Sequence, residues 1–347
     1  MRNERGPLPA VLGPLSWCAA RAYEAGARIA DRRHRSRGSM RVSVPVISVG
    51  NITAGGTGKT PFTRRIAESI IAAGGSPAIA LRGYRATSTG GSDEAREYQE
   101  SLPGVPVLVG ADRIDSITQA LEEDPQAFDC VLLDDGFQHR RLHRDLDIVL
   151  VDSSRPGVFG DLLPNGWLRE PVSALGRADC LVRTNHHQVD CPDPLEHFLM
   201  KVSGTPVVAH CHHDWSEIIL HHPEGRHEIE PAEAAAQYRK VMVISGLGNP
   251  GAMIRSVQDH GFTLARHLRH RDHASYSDAD GRAFLQCAPE ADAILISAKD
   301  WVKLRELPSI QACSRPILVP QVRIEFSLGA SSLSGLLSGV CGRSIAL

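Results

Sequence analysis

Residues 53–60 form a glycine-rich segment between two stretches with different hydrophobic patterns. Residues 42–49 are mostly apolar and β-branched, which predicts a strand, whereas apolar residues recur at helical spacing over 62–73. A glycine-rich turn at such a junction presents backbone N–H groups and a helix N-terminus to an anion. The sequence therefore predicts a P-loop that binds nucleotide phosphates, with the members Thr53, Ala54, Gly55, Gly56, Thr57, Gly58, Lys59 and Thr60.

The end of this segment fits the P-loop pattern better than its beginning does. Lys59 is placed to reach the outer phosphates, and the Thr60 hydroxyl suits a Mg²⁺ ion bound to them. Thr53 stands where the usual pattern has glycine. A plain glycine-rich turn is the alternative, but the strand, the turn and the helix all fall where the motif requires them.

Two acids follow an apolar, strand-like run over residues 128–133. In P-loop NTPases a carboxylate at the end of such a strand holds Mg²⁺ directly or through water. Asp134 and Asp135 are therefore predicted to form the metal site together with Thr60. A pair of solvated turn acids is the alternative for these two residues.

Length and composition limit the class of protein. A chain of 347 residues is long enough for two domains, and 42% hydrophobic and 22% charged residues are ordinary for a folded globular chain. The net charge of −2 gives no overall footprint for nucleic acid. The eight cysteines are scattered without a C-x-x-C pair, which predicts reduced, packing thiols rather than a disulfide framework.

Short apolar runs alternate with helical patterns, which predicts an α/β fold with a mostly parallel sheet covered on both faces. We predict a P-loop domain over 42–205, a connector over 206–235 with strands at 207–211 and 215–220, and a second, smaller α/β domain over 236–327. The last strand, over 317–326, is predicted to return to the connector. Residues 328–347 are rich in Ser, Gly and Leu, and no element is assigned to them.

The first 41 residues are basic and amphipathic, with nine arginines. The apolar runs are shorter than the roughly 18 residues that a spanning helix needs, and three prolines within 7–20 disfavour a signal peptide. Two interpretations remain open. The segment is either an interfacial helix attracted to anionic lipid or a helix docked on its own domain.

Several motifs, in order, resemble the tetraacyldisaccharide 4'-kinase family. Besides the P-loop and the Asp-Asp-Gly-Phe-Gln-His run from residue 134, they include Arg-Gly-Tyr at 82, Gly-Ser-Asp-Glu at 91 and Leu-Arg-Glu-Pro at 168. The second half adds Gly-Leu-Gly-Asn-Pro at 246, Asp-His at 272 and Lys-Asp at 299. The resemblance covers roughly residues 42 to 326.

The resemblance implies a fold and a reaction. The fold is a P-loop NTPase-like α/β/α sandwich and a smaller α/β/α domain, joined by a two-stranded connector. The reaction transfers the γ-phosphoryl group of ATP, with Mg²⁺, to the 4'-hydroxyl of tetraacyldisaccharide 1-phosphate in lipid A biosynthesis. The implied partners are the lipid disaccharide and the cytoplasmic face of a Gram-negative inner membrane, with no nucleic acid and no obligate protein partner.

The resemblance also implies roles for individual residues. Asp93 is the expected catalytic carboxylate, His273 of the second domain is its partner, and Lys59 acts on the phosphates. A sugar hydroxyl needs a carboxylate that can accept its proton, which makes the expected pair chemically reasonable. The residues expected to support the substrate or the active site are Glu94, Gln138, Arg169 and Glu170.

The chain departs from the family pattern at two positions. Ala274 stands where the family often has a second histidine, and Ala298 stands where it often has a glutamate. An inactive homologue is therefore one alternative, although Lys59, Asp93 and His273 are all present. A nucleotide switch or assembly ATPase on the same scaffold is another, but the signature lysine of the deviant-Walker class is absent.

A histidine cluster with one cysteine lies in the predicted connector. Zinc binding would require three or four converging ligands with suitable spacing. We expect ordinary solvated or hydrogen-bonded side chains here, with zinc as the alternative; the residues are His210, Cys211, His212, His213, His221 and His222.

Overall fold

The computed structural model describes residues 17–24, 26, 38–83, 93–154, 157–185, 194–271 and 274–347. The chain forms two compact units. Unit 1 comprises Met1–His212 and Ile324–Leu347, and unit 2 comprises His213–Arg323. The chain therefore leaves unit 1, forms unit 2 and returns to complete unit 1.

The strands follow the apolar runs of the sequence. In chain order they are β1 Val46–Gly50, β2 Pro77–Leu81, β3 Val107–Val109, β4 Cys130–Asp134, β5 Leu146–Asp152, β6 Cys180–Thr184, β7 Val207–His222, β8 Gly225–Ile229, β9 Lys240–Ser245, β10 Thr263–Arg269, β11 Ala293–Ile296 and β12 Ile317–Leu328.

The helices alternate with these strands. They are α1 Lys59–Ala72, α2 Asp93–Ser101, α3 Arg113–Glu123, α4 Pro194–Ser203, α5 Pro231–Gln237, α6 Pro250–Asp259, α7 Asp278–Gln286, α8 Ala298–Leu304, α9 Pro308–Gln311 and α10 Ala330–Cys341, with 3₁₀ turns at Gly157–Phe159 and Val172–Arg177. Residues 17–24 are also helical.

The sheet of unit 1 is parallel and has the order β7–β6–β5–β1–β4–β2–β3. Alternate strand residues enter opposite faces, so Ile47 packs in one cluster with Phe62 of α1, whereas Val46 packs in another with Ile114 of α3. Helices thus cover both faces of the sheet. The α/β class with a mostly parallel sheet, predicted from the sequence, is confirmed.

Unit 2 contains four parallel strands in the order β10–β9–β11–β12. Strand β8 pairs with β7 in an antiparallel hairpin, and β12 is the sheet neighbour of β7. The two predicted connector strands are one continuous strand, β7. Strand β10 escaped prediction because Arg266, His267 and Arg269 interrupt its apolar pattern; it has one strand partner and is only partly buried.

Helix α10 differs most from the sequence expectation. Leu333 and Leu337, one helical turn apart, and Ile345 beyond the helix are buried in the same cluster as Phe62 of α1. Serine and glycine fill much of the rest of the helix, which explains why its helical signal in the sequence is weak. The last residues of the chain are therefore part of the core of unit 1.

Among the residues that the structure describes, no helix is both long and apolar enough to cross a membrane.

Candidate active site

The carboxyl ends of the parallel strands of unit 1 meet at one edge of its sheet. Strand β1 lies between β4 and β5, with β2 and β3 on one side and β6 on the other. The order of the strands reverses there, and ligands of open α/β sheets bind at such a point. The glycine-rich loop follows β1 and the acid pair ends β4, so both predicted motifs lie at this edge.

The glycine-rich loop is held by the segment that follows β5 and by the end of β6. The Ala54 N–H donates to the carbonyl of Trp167 at 2.7 Å, and the Arg169 N–H donates to the carbonyl of Ile52 at 2.7 Å. Thr184, the last residue of β6, donates its hydroxyl to the carbonyl of Thr57 at 3.1 Å. These bonds fix the loop from outside, which prepares it for a phosphate ligand without using its own N–H groups at 55–58.

Glycine is required at two positions of the loop. Gly55 has φ +117° and Gly58 has φ +83°, which are conformations that other L-residues rarely adopt. Gly58 is the residue before α1, and Lys59 is the first residue of that helix. The loop therefore delivers Lys59 and Thr60 to the start of a helix, where the backbone favours negative charge.

Asp134 is buried at the end of β4. Its Oδ2 accepts hydrogen bonds from the Thr60 hydroxyl at 3.1 Å and from the Tyr98 hydroxyl at 2.9 Å. Its Oδ1 is buried and has no hydrogen-bond partner among the described residues. Burial raises the pKa of Asp134 to about 6, although the nearby Lys59 acts in the opposite direction. A cation is the ligand that such a carboxylate lacks.

Asp135 has the opposite environment. Lys59 Nζ lies 3.5 Å from its Oδ1, and Arg169 Nη1 lies 2.8 Å from its Oδ2. Burial alone would raise the pKa of Asp135, but Lys59, Arg169 and Arg113 outweigh burial and lower it to about 2. Its backbone is left-handed, with φ +53°. The sequence prediction brings Lys59, Asp135 and Arg169 together, and the structure places them in contact.

Two buried residues that the sequence did not indicate support the acid pair. Arg113 of α3 donates to the backbone carbonyls of Asp134 at 2.9 Å and Asp135 at 3.3 Å. Tyr98 of α2 reaches Asp134, and burial together with the Asp134 carboxylate raises the pKa of Tyr98 well above its ordinary value, so the phenol keeps its proton. Neither residue belongs to a sequence motif, and only the packing of α2 and α3 reveals them.

Gln138 and Glu170 lie behind the phosphate loop. The Gln138 amide donates to the carbonyl of Asn51 at 2.8 Å. Glu170 is buried and pairs with Arg140 and with Arg177, the latter at 3.0 Å. The ion pairs of Glu170 therefore anchor the chain next to Arg169, which contacts Asp135.

The expected catalytic pair is only partly visible. Asp93 is the first residue of α2, but its side chain lies outside the described part of the structure, and so does His273. Glu94, next to Asp93, is half-buried, and its charge contributes to the raised pKa of Asp134. The roles of Asp93 and His273 remain predictions.

Unit 2 contains a buried acid of its own, Asp300. The Gly246 N–H donates to Asp300 Oδ2 at 2.7 Å, and the Tyr276 hydroxyl donates to Oδ1 at 2.7 Å. The Ser297 hydroxyl caps α8 by accepting from the Asp300 N–H at 3.2 Å, and it also contacts Oδ2. Asp300 thus ties the Gly246 turn and the loop of Tyr276 to the start of α8.

Both positions that depart from the family pattern belong to unit 2: Ala298 is two residues before Asp300, and Ala274 is two residues before Tyr276. Ala298 is the first residue of α8 and packs against an apolar cluster. The Ala274 carbonyl accepts from Lys303 Nζ at 3.0 Å. Both positions keep an ordered environment in unit 2 without the family's usual side chain.

The connector histidines have separate partners. His210 is buried, with its Nε2 2.7 Å from Glu196 Oε1, and the His221 ring lies 4.4 Å from that of Trp301. Within the described ranges, no group of three or more His, Cys, Asp or Glu side chains is arranged to hold a metal ion.

The helical residues 17–24 touch the segment after β5. The Tyr23 hydroxyl donates to the Arg169 carbonyl at 3.0 Å, and Ala20 is buried. Trp17 is 53% exposed, and the Arg21 guanidinium lies 5.3 Å from the centre of its ring. One side of this segment therefore docks on unit 1, while Trp17 and Arg21 remain exposed to a partner or to solvent.

Comparison with known proteins gives a consistent result. The model of the family described as tetraacyldisaccharide-1-P 4'-kinase matches residues 8–341. A tetraacyldisaccharide 4'-kinase of Pelobacter propionicus is 34% identical over 310 residues, which cover 82% of this chain and 80% of that protein. One of Chromobacterium violaceum is 36% identical over 313 residues, which cover 86% and 85%.

A solved structure is also similar. LpxK from Aquifex aeolicus in complex with ATP is 27% identical, with a TM-score of 0.69 over 95% of this chain and 98% of that one. The similarity in sequence and in fold therefore extends over both units.

Proposed function

Because the chain belongs to the tetraacyldisaccharide 4'-kinase family, we propose that the edge of unit 1 just described is its ATP and magnesium site. The protein is a lipid A biosynthesis kinase, which transfers the γ-phosphoryl group of ATP to the 4'-hydroxyl of tetraacyldisaccharide 1-phosphate. The observation that supports the site most directly is the buried Asp134 oxygen, which has no protein partner among the described residues and lies beside Thr60.

The residues present fit magnesium. Mg²⁺ prefers oxygen ligands and usually keeps several waters, so one carboxylate and one hydroxyl, with the phosphates, are a sufficient protein contribution. Asp134 Oδ1 and Thr60 Oγ1 would hold the ion. The partly exposed Asp135 would contribute its negative charge beside the ion, directly or through water. When bound, the ion neutralises charge on the transferred phosphoryl group.

The cationic side chains have a defined role in the same proposal. Lys59 and Arg169 both contact Asp135, so this carboxylate holds two positive charges beside the phosphate loop. Lys59 would move from Asp135 to the outer phosphates when ATP binds, whereas Arg169 stays tied through its backbone to Ile52. Both cations would then be in position before negative charge develops on the phosphates during transfer.

The acceptor hydroxyl must lose its proton during transfer. We assign this step to Asp93, at the first turn of α2, with His273 of unit 2 as its partner, on the basis of the family resemblance. Glu94, Gln138 and Glu170 would support the site rather than touch the transferred group, which agrees with the backbone and ion-pair contacts of Gln138 and Glu170.

We further propose that the protein works at the cytoplasmic face of the inner membrane, attached through its N-terminal segment. Exposed Trp17 and nearby Arg21 suit a membrane–water boundary with anionic lipid. Flotation with liposomes tests this attachment. The protein should float with anionic vesicles and lose most of that binding in a Trp17→Ser, Arg21→Ser variant; equal flotation of the variant would contradict the assignment of these residues.

The kinase site is tested by phosphoryl transfer from γ-labelled ATP to tetraacyldisaccharide 1-phosphate in detergent micelles. Wild type should label the lipid, and Asp93→Asn should lose most of that activity while it retains nucleotide affinity. An active Asp93→Asn variant would remove Asp93 from its role. Unlabelled lipid with intact ATP binding in the wild type would favour a nucleotide switch or an inactive homologue.

A further inference from the structure

Tyr98 has the largest side chain among the fully buried residues that the structure describes, and it carries its hydroxyl to the candidate site. It lies on α2 and is completely inaccessible to solvent. Its ring packs in the apolar cluster of α1 and the central strands. A phenylalanine would fill that space equally well, so packing alone explains the ring and not the hydroxyl.

The hydroxyl of Tyr98 joins three elements of the site. It donates to Asp134 Oδ2 at 2.9 Å, and it lies 3.3 Å from the carbonyl of Thr60 in the first turn of α1. Tyr98 follows Asp93, the first residue of α2, by about 1.4 helical turns. One polar atom therefore connects the helix that begins at Asp93 with the strand and the helix that carry Asp134 and Thr60.

The contact determines how the Asp134 carboxylate is used. Tyr98 and Thr60 both approach Oδ2, while Oδ1 has no hydrogen-bond partner among the described residues. A carboxylate whose one oxygen accepts hydrogen bonds cannot rotate about its last side-chain bond unless those hydrogen bonds break. The hydroxyl thus selects Oδ1 as the oxygen that is left for a cation.

We infer that Tyr98 is a positioning residue of the kinase: its hydroxyl orients Asp134 for Mg²⁺ and ties α2 to the metal site. The inference rests on the proposed function of Asp134 as a magnesium residue. Hydrogen bonds to metal-binding carboxylates typically change metal affinity by about 10-fold to 100-fold when they are removed. Tyr98 should therefore affect magnesium before it affects nucleotide.

The test is calorimetric binding of the non-hydrolysable analogue AMP-PNP to full-length Tyr98→Phe, with Mg²⁺ and with EDTA. The gain in affinity that Mg²⁺ gives should fall about 10-fold relative to wild type, while affinity in EDTA stays within twofold. Tyr276→Phe is the matched control, because it removes the same kind of bond, from a partly buried phenol to the buried Asp300, in unit 2. That variant should keep the wild-type Mg²⁺ effect.

An unchanged Mg²⁺ effect in Tyr98→Phe, or an equal loss in Tyr276→Phe, overturns the inference. A wild type without any Mg²⁺ effect would instead overturn the metal assignment on which it rests. A second measurement retains the tyrosine side chain and so does not depend on how Tyr98→Phe folds. With 3-fluorotyrosine at position 98, the fluorine resonance should shift when Mg²⁺ is added to protein saturated with AMP-PNP, and a resonance that does not move contradicts the inference.

Discussion

Each unit buries an aspartate that accepts a hydrogen bond from a tyrosine, but the two acids have different surroundings. Asp300 in unit 2 accepts from Tyr276 on one oxygen and from the Gly246 N–H on the other. Asp134 in unit 1 accepts both of its hydrogen bonds on Oδ2 and none on Oδ1 among the described residues. One acid is satisfied by protein groups, and the other is not.

The difference separates two uses of a buried carboxylate. A satisfied carboxylate fixes the loops that donate to it, because breaking the set would leave several buried polar groups without partners. An unsatisfied carboxylate costs free energy in the folded protein and is retained where a ligand completes it. We therefore interpret Asp300 as a structural residue of unit 2, and the contrast supports the proposal that Asp134 binds a ligand in unit 1.

The largest expected effect comes from comparing one lysine substitution in each unit by its effect on the rate of lipid phosphorylation. Lys59→Met should lower lipid phosphorylation by roughly 1,000-fold, because it removes a cation beside the developing phosphate charge. Lys240→Met, at a partly exposed lysine of unit 2, should leave the rate within twofold. Rates of labelled-lipid formation measure both, and a comparable loss in the two variants would remove the distinction.

The next effect tests the units through stability. Asp300→Ala should lower the free energy of unfolding by about 4 kcal/mol, because the Gly246 N–H and the Tyr276 hydroxyl lose their buried acceptor. Asp134→Asn should change it by about 1 kcal/mol or less without Mg²⁺, since it removes a buried charge that protein groups satisfy only in part. Denaturant unfolding in EDTA measures both, and equal losses would show that the two acids are used alike.

A third test asks whether α10 belongs to the core of unit 1. Leu337→Ala should cost about 3 kcal/mol, because Leu337 is fully buried, whereas Leu336→Ala should cost less than about 0.5 kcal/mol, since Leu336 is 37% exposed. Thermal unfolding with and without Mg²⁺ and AMP-PNP measures these changes. If the ligand stabilises unit 1, it should raise the unfolding temperature of both variants. Similar costs at the two positions would contradict the packing of α10.

The smallest effect concerns His139, which follows the acid pair. Burial, and secondarily the positive charge of Arg113, Arg141 and Arg144, lowers the pKa of His139 to about 4, against the opposing charge of Asp112. Between about pH 6.5 and pH 4 the unfolded chain binds a proton that the folded chain does not. The stability from this residue is therefore present above pH 6.5 and is lost as the pH falls through that range.

His139→Asn should flatten the fall in stability between pH 6.5 and pH 4. The exposed His227→Asn, in unit 2, is the control for loss of an imidazole. Denaturant midpoints at a series of pH values measure the slope. A slope that His139→Asn leaves unchanged would show that other groups cause the acid sensitivity.

The sequence predicted the parts of the site that are local in the chain. The loop 53–60 and Asp134 with Asp135 are each a short run next to an apolar strand, so spacing alone indicated them. Arg169 came from the resemblance to a family, and the structure then placed it against Asp135. These residues could be found because strand, turn and helix follow one another closely.

The rest depends on packing between distant segments. Tyr98 of α2 and Arg113 of α3 reach the acid pair at the end of β4. No sequence motif links these helices to β4, so the contacts appear only in the folded chain. Helix α10 completes a core that begins almost 290 residues earlier at Ile47, and its Ser and Gly content weakened the helical signal of its two buried leucines. Sequence periodicity reports one element at a time, whereas these contacts require the assembled sheet.

The most direct test of the contrast between the two acids is electron paramagnetic resonance of Mn²⁺, in place of Mg²⁺, bound with AMP-PNP to wild type, Asp134→Asn and Asp300→Asn. The protein-bound Mn²⁺ signal should be present in wild type, lost or weakened at least about 10-fold in Asp134→Asn, and retained in folded Asp300→Asn. Equal Mn²⁺ binding in wild type and Asp134→Asn would contradict the assignment of the unsatisfied carboxylate to the metal.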